Sequence, residues 1–237
     1  MSNTSKGAAN KGSKFQMQRI TLPENKTVFD KFVNDELQWL SPLIEDKFTE
    51  YRMNSPYLLG KLGISQPIKK KYINSFWPSP QPQWDGIAIG KENTLYLFEA
   101  KSHLSEIVPG KDGNIGNDEL KYSSIMTCAK ELFSIEDTEE NRKYWCKTFY
   151  QISNRIAFAH QLTKISKVEN VEYNDVKMVF LNFVNDATWL KDKIMVKNDK
   201  EWLNHYEKKI LPKLGISIQK LNKNNVYILN FDLNLLI

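Results

Sequence analysis

The stretch Trp77–His103, WPSPQPQWDGIAIGKENTLYLFEAKSH, decides how the chain is read. Two short strands, Trp84–Ile89 and Leu95–Lys101, flank Lys91, Glu92 and Asn93, and Asn93 suits the left-handed position of a tight turn. With a three-residue turn, position 90 pairs with 94, which sets Asp85 opposite Glu99. Cross-strand partners share a face and lie about 5 Å apart. Lys101, two residues beyond Glu99, points the same way. One hairpin is thus expected to gather two carboxylates and an ammonium at one end of a sheet. Ile87, Ile89, Leu95 and Leu97 share that face, and Tyr96, Phe98 and Ala100 line the other. Strands apolar on both faces are usually covered by helices on both. Asp, Glu and Lys buried there must pair or bind a cation.

The 237 residues are 41% hydrophobic and 26% charged, enough for one domain with a sizeable core. Net charge is +5, but residues 1–19 carry Lys6, Lys11, Lys14 and Arg19 and no acid, which leaves +1 for the rest. A nucleic-acid-binding surface therefore has to be a local patch. Cys128 and Cys146 are too few and too far apart for a disulfide framework or a zinc ribbon, and read as reduced thiols. No window approaches 18 apolar residues and the N-terminus has no signal-type apolar region. The expectation is a soluble cytoplasmic protein without membrane contact.

Residues 1–19, rich in Ser, Asn, Gly and Lys, read as a flexible basic arm, and 20–237 as a single domain. Val28, Phe32, Val33, Leu37 and Leu40 predict a helix over Thr27–Leu40. Ser41-Pro42 resembles a cap and first turn, predicting a second helix to about Arg52. Ser55–Leu62 reads as a short helix ended by Gly63. Beyond the hairpin, Val108–Asp118 reads as a glycine-rich loop, Asp118–Phe133 and Glu139–Ile165 as helices, and Lys177–Val184 as a central strand. Lys200–Leu214 reads as a helix and Ile216–Gln219 and Val226–Phe231 as late strands. That order predicts an α/β fold, a mixed central sheet flanked by helices on both faces.

Asp85, thirteen intervening residues and then Glu99-Ala100-Lys101 on a strand resembles the PD-(D/E)xK superfamily, the restriction-endonuclease-like nucleases. The wider stretch is similar to a poorly characterised bacterial branch of it, with Trp84 where the motif's proline would stand. The resemblance covers roughly residues 41–186 and implies the restriction-endonuclease-like core, an α-β-β-β-α-β unit, whose first strand would fall near Tyr72–Phe76. It implies hydrolysis of phosphodiester bonds by in-line water attack, with DNA as the expected substrate. Such chemistry needs a cation to neutralise developing charge and generate hydroxide. Hard oxygen ligands select Mg²⁺, with Mn²⁺ as substitute. Asp85, Glu99 and the Ala100 carbonyl would be the metal ligands, and Lys101 would orient water or stabilise the transition state.

The superfamily often takes a fourth acid from its first core helix. Glu50, in Glu50-Tyr51-Arg52, is the stronger candidate and Glu45 the weaker. On the long helix, Tyr150-Gln151-Ile152-Ser153-Asn154-Arg155 also resembles that branch. Gln151 and Arg155 are four apart and share a face, with Asn154 beside them. Gln151 would hold water or a phosphate oxygen, and Arg155 would clamp a neighbouring phosphate. His103 is a rim residue of the same site. Trp77 and Trp84 serve base stacking or hairpin packing. The rival readings are a buried ion network in a catalytically inactive nucleic-acid- or protein-binding module, and a partner-activated defence effector. A homodimer and a protein partner stay open.

Overall fold

The computed structural model describes residues 7–107 and 118–236. Its centre is a five-stranded sheet in the order β1 (Gln38–Ser41), β2 (Gly86–Ile89), β3 (Thr94–Lys101), β4 (Asp175–Val184), β5 (Val226–Asp232). β1, β2 and β3 are antiparallel neighbours, while β3, β4 and β5 run parallel, so the sheet is mixed. In the hairpin Gly86 pairs with Phe98 and Ile89 with Leu95, the register expected of a three-residue turn. Glu92 and Asn93 both take left-handed backbone, each with φ of 57°.

Helices cover both faces unequally. Met17 and Ile20 of α1 (Gly12–Ile20) and Phe29 of α2 (Pro23–Val33) pack on Ala88, Tyr96, Phe98, Ala100, Val179, Leu181 and Phe183. The opposite, larger core collects Ile87, Leu95, Leu97, Val176, Met178 and Phe180 beneath the remaining helices. These are α3 (Pro56–Lys61), α4 (Gln66–Ile68), α5 (Glu119–Phe133), α6 (Glu139–Arg142), α7 (Tyr150–Val168), α8 (Asp199–His205), α9 (Leu211–Leu214) and α10 (Ile218–Lys223). Alternate residues of β4 serve the two cores, and both sets are apolar, which is why this interior strand shows no polar alternation. Among the described residues no helix is long and apolar enough to cross a membrane.

Several expectations are corrected. Gly12–Ile20 is helix with Met17 and Ile20 fully buried, so the flexible arm does not extend over 12–19, and the boundary at 19 falls inside α1. Its polar sequence hid two apolar residues three apart, which is enough to seat one face. The helix predicted over Thr27–Leu40 ends at Val33, where Asn34 adopts the left-handed cap (φ 53°) and Asp30 accepts the Leu37 N–H at 3.1 Å. Leu37 and Leu40 continue the helical spacing by coincidence; Leu40 belongs to β1. No helix follows Ser41-Pro42. One 3₁₀ turn (Ile44–Asp46) leads to left-handed Lys47 and Phe48, and the Ser41 hydroxyl donates to the Thr49 carbonyl at 2.8 Å.

The expected strand near Tyr72–Phe76 is absent there. Lys69–Asn74 is a π-helical turn continuing α4, and β1 fills the place beside the hairpin. Residues 216–219 start α10, capped by Ser217, instead of forming a strand. The helix from Glu139 breaks at Phe149 (φ −118°, ψ 39°) after the π-helical turn Lys143–Thr148. The predicted glycine loop falls, over 108–117, outside the described residues.

Gly86 marks where α1 meets the sheet. A β-carbon there would lie 2.5 Å from Met17 Cε, 3.1 Å from Trp39 and 3.3 Å from Phe98 Cβ. Gly86→Ala is expected to cost about 1–3 kcal/mol by overpacking. A thermal melt unchanged from wild type would show that α1 is not seated this way.

Candidate active site

The hairpin register carries through to its polar end. The Asp85 N–H donates to the Phe98 carbonyl at 3.2 Å, continuing the β2–β3 ladder past Gly86. Asp85 Oδ2 accepts the Ala100 N–H at 2.7 Å, so the aspartate is anchored to the backbone of the strand that carries Glu99 and Lys101. Glu99 is 2% exposed. Its Oε1 accepts from Lys101 Nζ at 2.6 Å and from Gln151 Nε2 at 2.6 Å, and its Oε2 accepts from Arg155 Nε at 2.6 Å. Gln151 and Arg155 reach it together because four residues make about one turn of α7.

Arg155 meets an internal acceptor with each of its three nitrogens. Beyond Glu99, Nη1 donates to Asn154 Oδ1 and Nη2 to the Gln83 carbonyl, each at 2.8 Å. Its guanidinium lies over the buried Trp84 ring, 4.9 Å from the centroid. Arg155, expected to clamp a substrate phosphate with Asn154 beside it, braces Glu99 in this structure. Trp84 and Trp77 are both buried, so hairpin packing, not base stacking, accounts for them.

Glu50 arrives from another direction than expected. It lies in the extended run before α3, where Arg52 bridges Gln83 and the Tyr51 carbonyl accepts the Trp84 N–H. No helix carries it. Its Oε2 accepts from Gln83 Nε2 at 2.8 Å and lies 3.7 Å from the Lys14 ammonium of α1. Glu45 is exposed in the 3₁₀ turn, and its charge acts on Tyr57.

His103 contacts Ser105, Glu106 and Trp189. Its Nδ1 pairs with the Ser105 hydroxyl at 2.7 Å, and its ring sits edge-on to Trp189 at 4.4 Å. Glu106 accepts the Ser102 and His103 N–H groups, at 2.7 and 3.1 Å, and the Ser13 hydroxyl at 3.1 Å. Gln83, Lys14 and Glu106 were not singled out in the sequence. Gln83 was legible as the neighbour of Trp84-Asp85, but Lys14 and Glu106 had no signal beyond charge.

Charge and burial act oppositely on the two acids. Burial pushes the Asp85 carboxyl up to about 8; the charges of Glu99 and Glu50 add to that, against Lys101 and the Ala100 N–H. Burial would raise Glu99 too, but Arg155 and Lys101 outweigh it and hold that carboxyl below its ordinary range. Burial lowers Lys101, but Glu99 and Asp85 prevail and the net shift is upward. Lys101 is therefore an ammonium at neutral pH.

Among the described residues no group of three or more His, Cys, Asp or Glu side chains is arranged to hold a metal. The oxygens of Asp85 and Glu99, with Glu50 behind Gln83, are a hard donor set of the kind Mg²⁺ takes. Burial first, and then repulsion from Glu99, raises Asp85, and a cation bound between the two would offset both. Two carboxylates do not form a closed cage, and an ion held by them would keep part of its water.

No protein-family model, curated protein or solved structure matches this chain.

Proposed function

We propose that the chain is a metal-dependent nuclease of the PD-(D/E)xK type, with a restriction-endonuclease-like core, hydrolysing phosphodiester bonds of DNA. The observation that carries this is Glu99, held by Lys101 and Gln151 on one oxygen and Arg155 on the other, beside Asp85. A hairpin, a helix and two loop segments converge there, which a solvated strand end would not require. Mg²⁺, or Mn²⁺ in its place, would be held by Asp85 and Glu99 with the Ala100 carbonyl, and supplies charge neutralisation and a hydroxide near neutral pH.

Each side chain then has a distinct task. Lys101, charged, donates hydrogen bonds to the attacking water and to the non-bridging oxygens as negative charge grows on them. Gln151 orients Glu99 and offers its amide to the same oxygens. Arg155 fixes the Glu99 carboxylate, and Asn154 fixes Arg155. Glu50, held by Gln83, adds a smaller negative contribution to the field at Asp85. The buried free thiols Cys128 and Cys146 suit a reducing compartment such as the cytoplasm.

The three donors on Glu99 also close on themselves, which favours a second reading, an inactive module stabilised by this network. Digestion of single-stranded, duplex and branched DNA and of RNA with Mg²⁺, Mn²⁺ or chelator separates the two. Cleavage that needs metal and vanishes in Glu99→Ala is the expected result. No cleavage of any substrate, alone or with a co-encoded partner protein, supports the inactive module.

A further inference from the structure

We propose that residues 187–200, which leave β4 at the carboxyl end of the sheet, are the surface on which the phosphodiester backbone of a nucleic acid rests. This deepens the nuclease reading and rests on it for the choice of polyanion. The first observation is charge. Residues 191–223 carry nine lysines against four acids, whereas 20–190 carry 20 basic residues against 23 acids, so the positive excess is local. Within the segment Lys191, Lys193, Lys197 and Lys200 are all exposed. None of the four forms an ion pair among the described residues, and Asp192 is taken by Lys11 at 2.5 Å.

The second observation is position. Asn182 of β4 pairs with Lys101, so the chain leaves the sheet beside the site. The base of the segment is fastened there. Buried Asp186 accepts from Gln16 Nε2 at 2.7 Å and from the Thr188 N–H and hydroxyl at 3.0 and 2.7 Å. Thr188 Oγ1 accepts the Gly12 N–H at 3.1 Å, and a β-carbon on Gly12 would lie 3.2 Å from the Trp189 ring. Trp189 meets His103, two residues past Lys101. Four ammonium groups therefore project from an anchored stretch adjoining the catalytic end of β3. Leu190 and Ile194, 60% and 39% exposed, lie among them and offer apolar contact to sugars and bases. Two such residues outside any helix are too little apolar surface for insertion into a bilayer, which argues against an anionic membrane as the occupant.

The test is binding in chelator, where nothing is cut, of labelled single-stranded and duplex DNA and RNA oligonucleotides to the full chain. The pairs Lys191→Glu with Lys193→Glu, and Lys197→Glu with Lys200→Glu, are compared with Lys70→Glu with Lys71→Glu as a charge-matched control elsewhere. Either test pair is expected to weaken binding at least about ten-fold, and to reduce the slope of log affinity against log salt by about one for each phosphate no longer neutralised. Unchanged melting profiles would show that the fold is kept. Equal affinity and slope in test and control pairs overturns the proposal, as does wild type that binds anionic vesicles and no oligonucleotide. Oligonucleotide binding that depends on these lysines, without cleavage in Mg²⁺, leaves this surface standing and removes the nuclease reading instead.

Discussion

Lys101→Met is expected to lower metal-dependent cleavage by roughly 10²–10³-fold while leaving the protein folded, because it removes one preorganised donor from the place where charge develops. Methionine keeps the apolar stem and removes only the ammonium. Glu99 loses one of three donors but keeps Gln151 and Arg155, so its charge stays compensated. The raised pKa of Lys101 sharpens the expectation: a charged lysine contributes by donating and not by taking a proton. Initial rates on the preferred substrate, with melting profiles of both proteins, check this. A variant that melts as wild type and still cuts at more than a tenth of its rate would remove Lys101 from the chemistry.

The part of this site that could be read from sequence is the part built by local rules. A period-two strand and a three-residue turn fix which residues oppose each other, so Asp85, Glu99 and Lys101 were placed by counting. Helical spacing set Gln151 and Arg155 on one face of α7, but only the resemblance of residues 150–155 to the nuclease branch pointed that face at the site. What failed was decided by contacts between distant segments. Nothing near Glu50 announces an extended run; it is extended because Tyr51 and Arg52 bond the backbone at Gln83 and Trp84. Lys14 sits in a stretch whose composition reads as solvated, and Met17 and Ile20 draw it onto the sheet only once Gly86 leaves room. At Leu37 and Leu40 periodicity itself misled, since apolar residues at helical spacing continued across an Asn34 cap. The role of Arg155 shows the limit of reading a side chain by type. A guanidinium near a phosphate site suggests a clamp, but each of its three nitrogens already donates to an acceptor within the protein.

That last point yields the larger stability effect. Arg155→Met leaves the Glu99 carboxylate, 3% exposed at its side chain, with Lys101 and Gln151 on Oε1 and no Arg155 donor on Oε2. Removing one partner of such a pair costs about 3–5 kcal/mol, which for a chain of this size is a fall in melting temperature of about 6–20 °C. The double variant Glu99→Gln, Arg155→Met is expected to show a coupling of about 0.5–3 kcal/mol in the cycle, because Glu99→Gln removes the charge that Arg155 offsets, while Lys101 then loses its nearest counter-charge in both Glu99→Gln backgrounds alike. It is not expected to regain cleavage, since the carboxylate is missing. A substrate clamp makes the opposite forecast: Arg155→Met would melt as wild type, raise KM and leave kcat largely unchanged. Melting profiles with kinetics on the same three variants therefore decide whether Arg155 acts on the nucleic acid or on the glutamate beneath it. The second outcome follows if its hydrogen bonds to Glu99, Asn154 and the Gln83 carbonyl persist while substrate is bound.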